Sequence, residues 1–100
     1  MSQLQQAIAR DLTTFIRGTF PLAAIQNLNE TDDMLGHGII DSFGLLEVLG
    51  FIETTWNLQI EDADITEENF GSIRAISGYI TRVLRAESPS SFPIVEERLS

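Results

Sequence analysis

Apolar positions recur with helical spacing in three long segments of the chain. In the first, Leu4, Ile8, Leu12, Phe15 and Ile16 share one face. Ser2 and Gln5 precede that face with capping-box spacing, and Gly18 and Pro21 end it. In the second, Leu45, Val48, Leu49, Ile52 and Trp56 converge on one stripe of a helix that starts at Asp41 or Ser42 and reaches about Trp56. The third begins at Ser72 and sets Ile73, Ile76, Ile80, Val83 and Leu84 on its inner face. A short helix over Thr66 to Asn69, introduced by Asp64 with Glu67 at the capping-box position, comes just before it. No segment carries strand-like alternation. The pattern predicts an all-α fold, a small bundle of three main helices and one short helix with a long loop after helix one. In that loop, from Gly18 to Asp41, the periodicity is broken at Asn27, Asn29, Asp32, Asp33, Gly36 and Gly38, while Leu22, Ile25, Leu28 and Leu35 read as apolar anchors. A loop of this length is usually functional or carries a short helical turn.

One hundred residues with 43% hydrophobic content suit a single domain, assigned to residues 1–86. From Glu87 to Ser100 the chain changes character, with Ser88, Pro89, Ser90, Ser91 and Pro93 unable to continue a helix, so this stretch reads as a flexible C-terminal tail. No apolar run is long enough for a membrane span, and the first residues lack the basic and apolar regions of a secretory signal, so a soluble, cytoplasmic protein is expected. Charge is unevenly divided: between residues 18 and 73 there are eleven acids, from Glu30 to Glu68, and no Lys or Arg. Such a segment argues against nucleic acid and favours partners with basic surfaces, although acidity can also serve solubility alone. The chain has no cysteine, so any sulfur chemistry has to come from an added group.

The stretch Gly38-Ile39-Ile40-Asp41-Ser42-Phe43-Gly44-Leu45-Leu46-Glu47 places a serine at the opening of the second long helix. A helix N-cap explains a serine there. Yet Asp41 can cap the helix by itself, which would leave Ser42 free for another task. The side of this helix opposite its core stripe mixes Phe43, Leu46, Glu47, Gly50, Phe51 and Thr54, a composition suited to docking. Gly44 and Gly50 offer bare backbone for close approach. Packing beneath the loop or the short helix is the alternative for Phe51 and Leu46. A catalytic serine is disfavoured, because the single histidine, His37, lies in the loop and Ile40-Asp41-Ser42-Phe43-Gly44 lacks the first glycine of a nucleophile elbow. The acids Glu61, Asp62, Asp64, Glu67 and Glu68 lack the spacing of a calcium loop and read as caps and solvation. There is no zinc-type Cys/His cluster and no nucleotide phosphate loop, so no metal site is expected.

Asp41-Ser42-Phe43 followed by Glu47 resembles the Asp-Ser-Leu attachment motif of acyl and peptidyl carrier proteins. The likeness runs from about residue 4 to 85 and includes the first helix, the long loop, Trp56-Asn57-Leu58-Gln59-Ile60 and Ile65-Thr66-Glu67-Glu68-Asn69-Phe70. It implies that a phosphopantetheinyl transferase joins 4'-phosphopantetheine from coenzyme A to Ser42, and that the arm's thiol holds an acyl or aminoacyl group as a thioester. Asp41 would assist magnesium binding during loading, while Phe43, Leu46, Glu47, Gly50 and Glu53 would meet partner enzymes. Phe43 replaces the usual Leu, Gly44 and Gly50 stand where larger residues are common, and the helix is less acidic than in carriers of general fatty acid synthesis. The stretch from Gly38 to Gly44 is more similar to discrete carriers, such as D-alanyl carriers, that work beside an AMP-forming ligase. The resemblance thus implies a monomeric, non-enzymatic acyl carrier protein of specialised metabolism. Its partners would be the transferase, an AMP-forming acyl or aminoacyl ligase and a downstream acyltransferase or synthase. The competing expectation is a helical adaptor that never carries a covalent group and binds a partner helix through Phe43, Leu46 and Phe51.

Overall fold

The computed structural model describes residues 2–87. Along them run α1 (Gln3–Thr19), α2 (Pro21–Ile25), α3 (Ser42–Thr55), α4 (Glu67–Phe70) and α5 (Ile73–Glu87), with a single 3-10 turn at Asp62–Asp64. The described residues contain no strand, and none of their helices is long and apolar enough to cross a membrane. The expected tail lies outside the described residues apart from Glu87, which is the last residue of α5.

Four of the five helices begin at a side-chain cap, and α2 follows Phe20, which makes no capping bond. The Ser2 hydroxyl accepts from the Gln5 amide at 3.1 Å and opens α1, and the Ser72 hydroxyl accepts from the Ala75 amide at 3.1 Å at the head of α5. α4 is capped by Thr66, whose hydroxyl accepts from the Asn69 amide at 3.2 Å, and not by Asp64 as the spacing suggests. Asp64 is engaged elsewhere: it lies in the 3-10 turn and accepts from the Tyr79 hydroxyl at 2.8 Å. The ends of α2 and α3 share one device. Asn27 and Asn57 adopt left-handed backbone (φ 54° and 52°). The next amides reach back five residues, Leu28 to Ala23 and Leu58 to Glu53. Both leucines are buried, which closes each helix end over the core.

The core joins α1, α3 and α5. Ile8, Leu12 and Ile16 of α1 meet Val48 and Ile52 of α3 and Ile73, Ile76 and Ile80 of α5 in one buried cluster. Phe15 stacks on Phe51, with ring centroids 4.1 Å apart and planes 11° from parallel, and Trp56 meets Phe51 edge-on at 5.7 Å. Phe51 therefore packs against α1 instead of facing a partner or lying under the loop. On the α1 side of α5, Ser77 is wholly buried, accepting from Gln5 Nε2 at 3.4 Å and donating to the Arg74 carbonyl at 3.0 Å.

The connection after α1 is more ordered than its composition suggests. Pro21 sits in the first turn of α2, where its missing N–H costs nothing. Ala23 is then the residue turned into the core, while Leu22 and Ile25, expected as anchors, are 44% and 78% exposed. Further on, Met34 is fully buried. Its amide donates to the Gly71 carbonyl at 2.7 Å, and the Arg74 amide donates to the Glu30 carbonyl at 2.8 Å. Two backbone bonds thus fasten the connection to the junction of α4 and α5, and side-chain spacing gave no sign of them.

Burial pushes the Tyr79 hydroxyl up to about 12, helped by its hydrogen bond to Asp64 and by the negative charges of Asp64 and Glu61, against a smaller opposing effect of Arg82. Between pH 10 and 12 the unfolded chain releases a proton that the folded chain keeps. Stability is therefore whole below about pH 10 and falls as the pH rises toward 12, by on the order of 2 kcal/mol. Tyr79 is the only tyrosine, so tyrosinate absorbance reports it alone. A folded-state midpoint near 12 is expected, and Tyr79→Phe should flatten the alkaline loss of stability; a midpoint near 10 in the folded protein would refute the buried contact.

Candidate functional site

The start of α3 is positioned by the last turn of the connection. Gly38 has φ 70°, a left-handed conformation that suits glycine. The amides of Ile39 and Ile40 both donate to the Met34 carbonyl, at 2.8 and 3.2 Å, and both side chains are buried. With that turn anchored, Asp41 leaves it in extended conformation (φ −104°, ψ −170°). Asp41 Oδ1 accepts from the Gly44 amide at 2.8 Å, and the Asp41 carbonyl accepts from the Leu45 amide at 2.9 Å. The N-cap is thus Asp41 and not Ser42. No hydrogen bond among the described residues engages Asp41 Oδ2.

Ser42 is the first residue of α3 and is exposed. Among the described residues nothing is hydrogen-bonded to its hydroxyl. Its own amide and that of Phe43 lie in the first turn, where a helix offers no internal acceptor, so they form the positive end of a helix 14 residues long. The arrangement presents a primary hydroxyl to solvent at a position that favours an attached anion.

The residues expected around Ser42 divide into three kinds of environment. Phe43, at 79% exposure, and Leu46, at 63%, stand out from the surface, with Glu47 and Gly50 also exposed. Glu53 is half-buried, and its carboxylate accepts from the Ile60 amide at 3.0 Å. That bond ties the segment after α3 to the helix itself. Gly44 is buried and not open to a partner: a Cβ there would lie 2.9 Å from Phe20 Cε1 and 3.3 Å from Ile40 Cβ. Its bareness admits the protein's own Phe20, whereas nothing lies within 4 Å of a Cβ at Gly50.

The exposed Leu22 and Ile25 were not foreseen as surface residues. Their spacing behind a helix-starting Pro21 was the available signal, because positions three apart on a helix share a face. His37 is exposed, and its amide donates to the Asp33 carbonyl at 3.0 Å. The acids from Glu61 to Glu68 do not converge: no group of three or more potential metal-binding side chains occurs among the described residues. No protein-family model matches the chain, and no curated protein matches it.

The two glycines of α3 should respond with opposite signs. Gly50→Ala adds helix propensity at an open position and stabilises by about 1 kcal/mol. Gly44→Ala forces Phe20 and Ile40 apart and destabilises by about 1 kcal/mol despite the same propensity gain. Denaturant unfolding followed by the fluorescence of Trp56, the only tryptophan, measures both; equal stabilisation by the two variants would contradict the packing of Phe20 on Gly44.

Proposed function

We propose that the chain is a discrete carrier whose Ser42 is modified with 4'-phosphopantetheine. The observation that supports this reading most is the division of labour at the head of α3, where Asp41 caps the helix and the exposed Ser42 hydroxyl has no structural task. The helical bundle, the long connection leading to the Asp-Ser pair and the absence of cysteine agree with it. The attached group would supply the thiol that the chain lacks, at the end of an arm that holds an acyl or aminoacyl group as a thioester.

In loading, Ser42 Oγ attacks the phosphorus of coenzyme A that bears the pantetheine. A phosphodiester forms, the pyrophosphate bond breaks and adenosine 3',5'-bisphosphate leaves, while the hydroxyl proton passes to a base of the transferase. The first-turn amides of Ser42 and Phe43 favour the resulting phosphate. Asp41 keeps Oδ2 available for a magnesium ion while Oδ1 holds the cap. Phe43, Leu46, Glu47 and Gly50 form the surface for a transferase, an AMP-forming ligase and a downstream acyltransferase or synthase. Glu53 contributes at the edge of that surface, where its bond to Ile60 limits its reach.

Incubation with coenzyme A, magnesium and a broad-specificity phosphopantetheinyl transferase should add the mass of one phosphopantetheine to the wild-type protein and none to Ser42→Ala. Because the cap is Asp41, Ser42→Ala should change stability by less than about 0.5 kcal/mol, whereas Asp41→Ala should cost about 1 kcal/mol. A folded wild type that gains no mass with several transferases would favour the unmodified adaptor. Glu47→Lys should slow loading at low ionic strength, and the deficit should shrink as salt is added; a rate insensitive to both changes would remove Glu47 from the docking surface.

A further inference from the structure

All six positive side chains of the chain are arginines, and three of them lie on α5. Arg74, Arg82 and Arg85 are exposed. At about 100° per residue they fall within an arc of roughly 80°, with Gly78 at its middle, on the side of the helix away from the buried Ile73, Ile76 and Ile80. From Arg74 to Arg85 the arc runs about 16 Å along the helix. It borders a shallow hollow of about 430 Å³ that Gln5 lines from α1 and Asn69 from α4. Among the described residues no hydrogen bond or ion pair holds these three guanidinium groups. The other described arginines are placed elsewhere: Arg17 donates to Asn27 Oδ1 at 3.3 Å and to the Leu28 carbonyl at 2.8 Å, and Arg10 stands with Glu30 at a separate hollow. Nothing in the backbone requires glycine at position 78, and a Cβ there would lie 3.4 Å from Gln5 Nε2 and 3.6 Å from Arg82 Nη1, ordinary contact distances. Alanine would fit and would favour the helix, so the bare position serves to keep the floor of the hollow open between Arg74 and Arg82.

We infer that this face of α5 binds a short acidic segment of a partner protein, whose carboxylates pair with Arg74, Arg82 and Arg85 and whose backbone lies over Gly78. The inference is independent of the carrier reading, because the face makes no use of Ser42 or of α3. An arginine presents a planar fork that meets a carboxylate through two parallel hydrogen bonds, which a lysine cannot do. Three such forks in one row, none engaged within the described residues, call for several carboxylates spaced one to two helical turns apart. The remaining charge limits the length of the occupant. Glu68 lines the same hollow, and Glu61 and Asp64 act on the Tyr79 hydroxyl beside Arg82. The chain as a whole carries −9. A membrane surface or a nucleic acid extends its negative charge past the ends of the patch and would meet those acids. A segment confined to about 16 Å stays over the arginines, where charges beyond about 8 Å are screened at physiological salt.

The probe is a fluorescein-labelled hexaglutamate peptide, titrated with the full chain at low ionic strength and followed by anisotropy, with amide NMR shifts locating the contact. Saturable binding that shifts residues 74–85 and weakens as salt is added is expected. Arg74→Gln/Arg82→Gln should raise Kd about tenfold with an unchanged circular dichroism melt, while Arg10→Gln stays within about twofold of wild type. Gly78→Ala should melt higher than wild type yet bind about threefold more weakly, a combination that a purely structural glycine would not give. Ser42→Ala should bind the peptide as wild type does, which separates a failure of this inference from a failure of the carrier reading. Absence of saturable binding, or a Kd equal to wild type in either the arginine or the glycine variant, would overturn the inference. Tighter binding of phosphatidylserine vesicles or of an oligouridylate than of the peptide would assign the face to a membrane or to RNA and overturn it as well.

Discussion

The hydrogen bond from the Gly44 amide to Asp41 decides where α3 begins, and the direction of every side chain on its exposed face follows from that origin. Were Ser42 the cap, the helix would start one residue later and the hydroxyl would be committed to a backbone amide. With Asp41 in that role, Ser42 becomes the first helical residue and its hydroxyl is left to solvent. The bond is in turn held by what surrounds it: Ile39 and Ile40 are buried just before Asp41, and Phe20 and Ile40 border the space that the bare Gly44 leaves. A polar group in water is thus positioned by apolar burial of its neighbours in the chain.

The long connection earns its order from a few backbone bonds, because its sequence has too little periodicity to form a core face. Met34 is the pivot, with its amide bound to the α4–α5 junction and its carbonyl accepting from Ile39 and Ile40. Position is thereby passed from the core to the turn before Asp41. The antiparallel course of α1 and α3 follows from the aromatic contacts, since Phe15 meets Phe51 while Phe20, later in the chain, meets the earlier Gly44. Rings at these contacts let α3 lie against α1 through side chains, leaving its opposite face to the solvent.

The three long helices were legible because their cores repeat at helical spacing and their caps are ordinary: Ser2, Asp41 and Ser72 lie where the pattern puts them. What the pattern missed depends on contacts distant in sequence. Asp64 has the right spacing to cap α4, but Tyr79 draws it into a different bond, and Thr66 takes the place. Leu22 and Ile25 look like loop anchors until α2 forms and turns Ala23 inward in their stead. Gly44 and Gly50 are alike on paper, yet one is filled by Phe20 and the other stands open. At the site itself, the exposure of Ser42, Phe43, Leu46 and Glu47 was legible from helical geometry. The restraint on Glu53 was not, because Ile60 reaches it only after the chain has reversed at Asn57.

The most direct measurement is fragmentation mass spectrometry of the peptide containing Ser42, from protein isolated from the cells that produce it. A phosphopantetheine ester assigned to Ser42, with loss of the pantetheine group on fragmentation, is the result that a carrier predicts. Recovery of that peptide only with an unmodified serine, from cells in which another carrier protein is found modified, would contradict it.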